Sequence, residues 1–161
     1  MGKHKTGGTP ATVALSAAGV SHTLHPYEHH ADSSSYGGEA AEALAVDPRR
    51  IFKTLVADAS GELVVAVVPV ACQLDLKALA TAVGAKKASM ADPGAAARSS
   101  GYVVGGISPI GQRSRLRTVV DVSVFEFDTV FVSAGKRGLQ VELAPADLIS
   151  VTDAGTAPIG H

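Results

Sequence analysis

The chain of 161 residues holds one cysteine, Cys72, no tryptophan, and aromatic residues at only 4%. A single cysteine excludes an internal disulfide and a cysteine-built metal cluster, and it fits a reducing, cytoplasmic setting. So few aromatics leave the core to small and β-branched side chains, with Phe52, Phe125, Phe127 and Phe131 as its expected large pieces. No uninterrupted apolar run approaches the roughly 18 residues of a membrane span. The formal net charge is -1, which excludes polyanion binding by bulk charge alone. Neither a repeat nor a linker-like stretch divides the chain, and its length suits one domain. The opening MGKHKT formally fits a myristoylation pattern at Gly2 and Thr6, but no polybasic run or second lipid signal accompanies it. Met1 to Thr9 therefore reads as a flexible leader, ahead of a domain over residues 10–152.

Against these absences stands a hydrophobic share of 46% with a charged share of 18%, the composition of a folded chain. The charge is unevenly placed. From Gly84 to Arg137, Lys86, Lys87, Arg98, Arg113, Arg115, Arg117, Lys136 and Arg137 outnumber Asp92, Asp121, Glu126 and Asp128. A basic face on a neutral protein suits contact with phosphates, and it also suits a plain solvated surface.

Thr9-Pro10 opens a helix that Gly19 ends. VSHTLHPY reads as a short strand stopped by Pro26, and Glu39 to Ala45 as a short helix. IFKTLVADASGELVVAVVPV places two apolar runs around an Asp-Ala-Ser-Gly turn, the pattern of a hairpin. Its second run, Leu63 to Val70, is apolar on both faces and predicts a central strand. Asp75 to Gly84 and Asp92-Pro93 to Ser100 carry start and stop signals of helices. Thr118 to Asp121, Thr129 to Ser133 and Leu139 to Leu143 read as strands, with AGKRG as the turn between the last two. PADL suggests one helical turn, and the tail over residues 153–161 reads as loose. The expected class is α+β: one domain with a mixed, mostly antiparallel, barrel-like sheet and helices around it.

The stretch GYVVGGISPIGQR, Gly101 to Arg113, is the densest candidate site. Gly106 to Arg113 has the glycine spacing of a P-loop, but Gln112 and Arg113 stand where a lysine and a hydroxyl are needed. Ser108 lies in G-x-S-x-x-G rather than G-x-S-x-G, and Pro109 follows it, so a nucleophile elbow fails. A histidine brought near Ser108 by the fold stays open. So do a backbone nest at Gly105 and Gly106 and a plain tight connection. Lys53 lies within a strand pattern, where alternation favours an outward-facing residue over a cleft charge. Glu28, His29, His30 and Asp32 lack the helical spacing of a metal motif, and no metal or cofactor is expected. Cys72 has no basic neighbour and reads as a small apolar residue.

Four stretches in order, IFKTLV, PVACQLDLKALATAVGAKKASMADP, RSSGYVVGGISPIGQ and VFVSAGKRGLQVEL, resemble the YbaK family of free-standing aminoacyl-tRNA deacylases. The resemblance runs from about Pro10 to Leu148. It is strongest to the branch that removes cysteine from mischarged tRNA(Pro). It implies an α+β domain with a cleft for the aminoacyl-adenosine end of tRNA, no metal or cofactor, and prolyl-tRNA synthetase as a partner. Carried over by position, Lys53 becomes a cleft lysine at the tRNA end, reversing the outward reading, with Thr54 beside it. Tyr27 and Tyr36 match pocket aromatics, and Ser133 a pocket serine. Gly105, with Gly106, Ile107, Ser108 and Pro109, matches a loop whose backbone faces the scissile ester. Gln140 departs from the aspartate of many relatives. The mechanism implied for this branch needs no protein nucleophile, because the substrate's own thiol attacks its ester. Two alternatives are a deacylase for another mischarged tRNA, such as Ala-tRNA(Pro), and a non-catalytic module for the tRNA end or a synthetase.

Overall fold

The computed structural model describes residues 8–29 and 36–161, with the side chains of positions 36 and 37 outside the description. In chain order the elements are α1 (Pro10–Ala17), β1 (Thr23–Pro26), α2 (Tyr36–Leu44), β2 (Phe52–Ala59), β3 (Glu62–Pro69), α3 (Leu76–Val83) and β4 (Ala88–Met90). Then follow α4 (Pro93–Ser100), β5 (Arg117–Asp121), β6 (Val130–Lys136), β7 (Leu139–Leu143), α5 (Pro145–Thr152) and β8 (Gly155–Ala157).

Local chemistry accounts for most of these boundaries. Thr9 caps α1 through a box in which Thr9 and Thr12 satisfy each other's backbone N–H groups. Asp75 and Asp92 cap α3 and α4, and Gly84 and Gly101 end them in the left-handed region. The β2–β3 hairpin turns at Ser60 and Gly61, both at positive φ, with the Gly61 N–H donated to Asp58 Oδ1 at 2.7 Å. Thr9, read from the sequence as the last residue of a leader, is 9% exposed and belongs to the cap of α1.

β3 is the central strand that its unbroken apolar run predicts. It pairs antiparallel with β2 and parallel with β5 in a five-stranded sheet ordered β4-β2-β3-β5-β8. Val65 and Val67 face a core shared with β6, β7, α1 and α5. Val64, Ala66 and Val68 face a second core under α3. The other sheet, β1-β7-β6, is three-stranded and antiparallel, and Ala40 and Ala41 of α2 pack on its outer face against Ile51 and Phe131.

The expected barrel does not close. The two sheets meet at one parallel bridge, Ile51 to Phe131, at the head of β2. Beyond it, the β2 edge has no strand partner until β4 joins at Ala57. The segment after Val103 and the β4–α4 junction line that gap instead. The tail is also not loose. β8 pairs with β5, Ile159 is fully buried, and Asp121 Oδ1 accepts the N–H groups of Ile159 and Gly160 at 2.9 and 2.8 Å. A buried apolar anchor and a buried carboxylate order a segment whose own composition signals nothing. Of the expected aromatic core, Phe52 and Phe131 are buried, but Phe127 is half-buried and Phe125 is 59% exposed, on a short 3-10 turn Val122–Glu126.

Candidate active site

The gap between the sheets is a cavity of about 400 Å³. Its floor is the unpaired edge of β2, Phe52 to Val56. One wall is Ser133 of β6, Gln140 of β7 and Tyr27. The opposite wall is Met90, Ala91, Pro93 and Ala96, and Val104, Gly105 and Ile107 close the end. The volume lies in the range of roughly 300–1,000 Å³ usual for small-molecule sites.

Lys53 lines this cavity and is half-buried. Strand alternation puts it on the face of Val68, its Cα partner. Among the described residues no carboxylate lines the cavity or pairs with the Lys53 ammonium. A half-buried cation without a counter-charge suits an anionic ligand. The head of β2 is anchored just before it. The Arg50 guanidinium donates to Thr129 O at 3.2 and 3.1 Å and to Thr129 Oγ1 at 2.7 Å, and it lies 5.2 Å from the Phe131 ring centre. Thr129 Oγ1 in turn donates to Glu142, and that bond, with His25 at 2.8 Å, holds the Glu142 carboxyl below its ordinary range.

Two buried side-chain oxygens at the cavity have no partner among the described residues: Thr54 Oγ1 and Gln140 Oε1. Buried polar atoms are normally hydrogen-bonded, so this pair is available to donors on a ligand. The half-buried Tyr27 phenol lies against the Gln140 side chain. Burial raises its pKa above the ordinary value, against the contributions of Gly138 and Gln140.

The glycine segment is a braced loop. Tyr102 Oη donates to Ile110 O at 2.6 Å, Arg113 N to Ser100 O at 2.9 Å, and Ser114 N to Ser99 O at 2.8 Å. Gly105 sits at the cavity with φ +90°, and its N–H has no acceptor among the described residues. The expected nest is therefore narrower than two glycines. Gly106 is buried, turns its N–H back to Val103 O, and lies outside the cavity lining.

The fold thus gathers Tyr27, Lys53, Thr54, Gly105, Ile107, Ser133 and Gln140 around one space. It leaves out Ser108 and Pro109. Ser108 is fully buried, its Oγ accepts the Ile110 N–H at 3.2 Å, and it is not part of the cavity lining. Pro109 faces a separate surface cleft beside α5. The side chain of Tyr36, and His30 and Asp32, lie outside the described residues. His29 Nδ1 meets Glu39 Oε1 at 2.8 Å, and no cluster of three metal-ligating side chains occurs among the described residues. Cys72 lies against Gly160 under the tail, away from the cavity lining. The β4–α4 wall escapes a reading of the sequence. Asp92-Pro93 marks a helix start, but nothing local shows which strand that start faces.

Residues 30–151 match the model of the aminoacyl-tRNA editing domain. The chain belongs to that family. The editing domain is 43% identical over 121 residues to EbsC of Enterococcus faecalis, a proposed Cys-tRNA(Pro)/Cys-tRNA(Cys) deacylase, covering 74% of this chain and 73% of that protein. It is 32% identical over 117 residues to YwhH of Bacillus subtilis, covering 72% and 74%. Over 49% of its length it is 35% identical to 48% of ProXp-y, a multifunctional Ser/Thr-tRNA deacylase of Escherichia coli. Its fold matches that of a proposed trans-editing enzyme for prolyl-tRNA synthetase, with TM-score 0.85, 21% identity and 99% of each chain covered. The editing domain is an aminoacyl-tRNA deacylase, an ester hydrolase. No helix among the described residues is long and apolar enough to cross a membrane.

Proposed function

We propose that the editing domain hydrolyses cysteine from mischarged Cys-tRNA(Pro), and Cys-tRNA(Cys) with it, through the substrate's own thiol. One observation carries this reading. Lys53 and the free Gly105 N–H open onto one cavity whose lining, among the described residues, holds no cysteine, histidine or carboxylate. The hydroxyls of Thr54 and Ser133 therefore have no imidazole or carboxylate in the lining to activate them as nucleophiles.

In the proposed reaction the cysteine thiol gives up its proton and the sulfur attacks its own ester carbonyl. The carbon–oxygen bond to the ribose breaks, the ribose oxygen leaves with the proton the thiol gave up, and a four-membered cyclic thioester forms. Water then opens it to free cysteine. The protein's work is orientation, worth about 7 kcal/mol or more when reacting atoms are held in place, and oxyanion stabilisation, worth about 3 kcal/mol per donor. Lys53 holds phosphate or ribose at the tRNA end. Gly105 N–H faces the developing oxyanion. Thr54 and Gln140 accept from donors on the aminoacyl group, and Tyr27, Ile107 and Ser133 shape its walls. The basic residues from Lys86 to Lys136 contact the tRNA backbone, so affinity falls steeply with salt. Prolyl-tRNA synthetase supplies the choice of tRNA.

The test is cysteine release from Cys-tRNA(Pro) by the wild type and by Lys53→Ala, within a panel of aminoacyl-tRNAs. Full activity in the lysine variant overturns its role. Equal hydrolysis of Ser-tRNA(Pro) and Cys-tRNA(Pro) rules out the thiol mechanism and supports a second reading. The similarity to ProXp-y favours that reading, hydrolysis of seryl or threonyl esters. A synthetase role requires that adding prolyl-tRNA synthetase sharpens selectivity for tRNA(Pro).

A further inference from the structure

The β6–β7 turn sits against the glycine loop from outside the cavity. Arg137, exposed on that turn, donates to Val104 O from Nε at 2.9 Å and from Nη2 at 2.5 Å. One residue past Gly105, Gly106 is pressed onto the same turn. A Cβ there would stand 2.9 Å from Arg137 N and from Lys136 Cα, and 3.0 Å from the Lys136 carbonyl carbon. The turn's other side accepts the Tyr27 N–H on Gly138 O at 2.9 Å.

Gly105 is therefore gripped on both sides: its preceding carbonyl by a guanidinium, its following residue by backbone contact too close for any side chain. Both grips come from a tight turn with Gly138 at φ +84°. The plane of the Val104–Gly105 peptide carries both the Val104 carbonyl and the Gly105 N–H, because the peptide unit is rigid. A donor on the carbonyl thus sets the direction in which the N–H points. Arg137 itself does not line the cavity.

We infer that Arg137 is a positioning residue for the reaction, aiming the Gly105 N–H at the oxyanion by holding the Val104 carbonyl. The inference rests on the proposed role of Gly105. A guanidinium suits the task because its fork delivers two N–H donors to one oxygen from a fixed plane, which an ammonium cannot reproduce. Misplacing a catalytic donor by about 1 Å costs on the order of a hundredfold in rate, without loss of substrate affinity.

The experiment compares wild type, Arg137→Ala and Arg137→Lys in single-turnover deacylation of whichever aminoacyl-tRNA the wild type hydrolyses, beside tRNA affinity, melting temperature and the amide NMR signal of Gly105. Arg137→Ala is expected to slow the chemical step by about ten- to a hundredfold with tRNA affinity unchanged. It should also shift or broaden the Gly105 amide. Arg137→Lys should fall between, and guanidinium at millimolar concentration should restore part of the rate and of the amide signal in the alanine variant. A variant that loses tRNA affinity while keeping its rate constant overturns the inference and makes Arg137 a phosphate contact. An unmoved Gly105 amide overturns it as well, and that measurement needs no substrate. If the wild type releases no cysteine from Cys-tRNA(Pro), the substrate reading fails while the amide signal still decides the role of Arg137.

Discussion

Ser133 and Gln140 stand directly opposite each other across β6 and β7, and both line the cavity that Lys53 lines from β2. The pair sits just before the register shift that loosens the end of that hairpin. A regular ladder thus carries the cavity wall, and an irregular tip carries the turn that braces the loop.

The unpartnered oxygen of Thr54 is expected to cost stability and to serve the substrate. Thr54→Val keeps the shape and removes the buried hydroxyl. It should leave stability unchanged or raise it by about 1 kcal/mol, because an unsatisfied buried polar atom is lost. Deacylation should fall. Denaturation and deacylation measured on the same preparation check this. A destabilised variant with full activity would make the hydroxyl structural.

The two residues of GGIS that invite a functional reading should behave in opposite ways. Gly105 has φ +90°, a conformation that side chains rarely adopt, so Gly105→Val should abolish deacylation. Ser108→Ala removes one buried hydrogen bond to Ile110 N, costs about 1 kcal/mol, and should keep most of the activity of the folded enzyme. The reverse order in the same assay would return the serine to the chemistry.

Asp121 should hold the C-terminal segment. Its buried carboxylate accepts from Ile159 N, Gly160 N and Ser123 N. Asp121→Ala leaves those donors without an acceptor and should cost about 3 kcal/mol or more, while deacylation per folded molecule stays near wild type. Urea unfolding and limited proteolysis of the tail read the effect. A stable variant with a protected tail refutes it.

Alkaline pH should loosen the loop through Tyr102. Burial pushes its phenol from 10.0 up to about 12. The folded value lies above the unfolded one, so this contribution to stability is complete below pH 10 and is lost as pH rises towards 12. Wild type should therefore lose stability more steeply across that interval than Tyr102→Phe. The phenylalanine variant should start about 1 kcal/mol lower at neutral pH, because Ile110 O loses its donor. Parallel slopes for the two proteins would refute the assignment.

Much of the fold was written locally. The caps at Thr9, Asp75 and Asp92, the stops at Gly84 and Gly101, and the turn at Ser60-Gly61 each depend on residues within a few positions, and each element appears where those signals put it. β3 followed from its unbroken apolar run, because only a strand covered on both faces buries every side chain. The ordered tail did not follow, since its anchor is Asp121, distant in sequence. α5 runs to Thr152, well past the single turn that PADL suggests.

The site divides the same way. Sequence alone, through its ordered motifs, marked Lys53 and the glycine segment and identified the editing family. Alternation along β2 tells which face a residue takes but not which neighbouring strand is missing, so only the tertiary structure put Lys53 at an open edge rather than under solvent. Gly105 and Gly106 are equal in the sequence. The packing of Gly106 on the turn at Arg137 separates them, leaving one N–H bound to Val103 O and the other open to the cavity. That choice is made by contact between segments distant in sequence, and no local pattern encodes it.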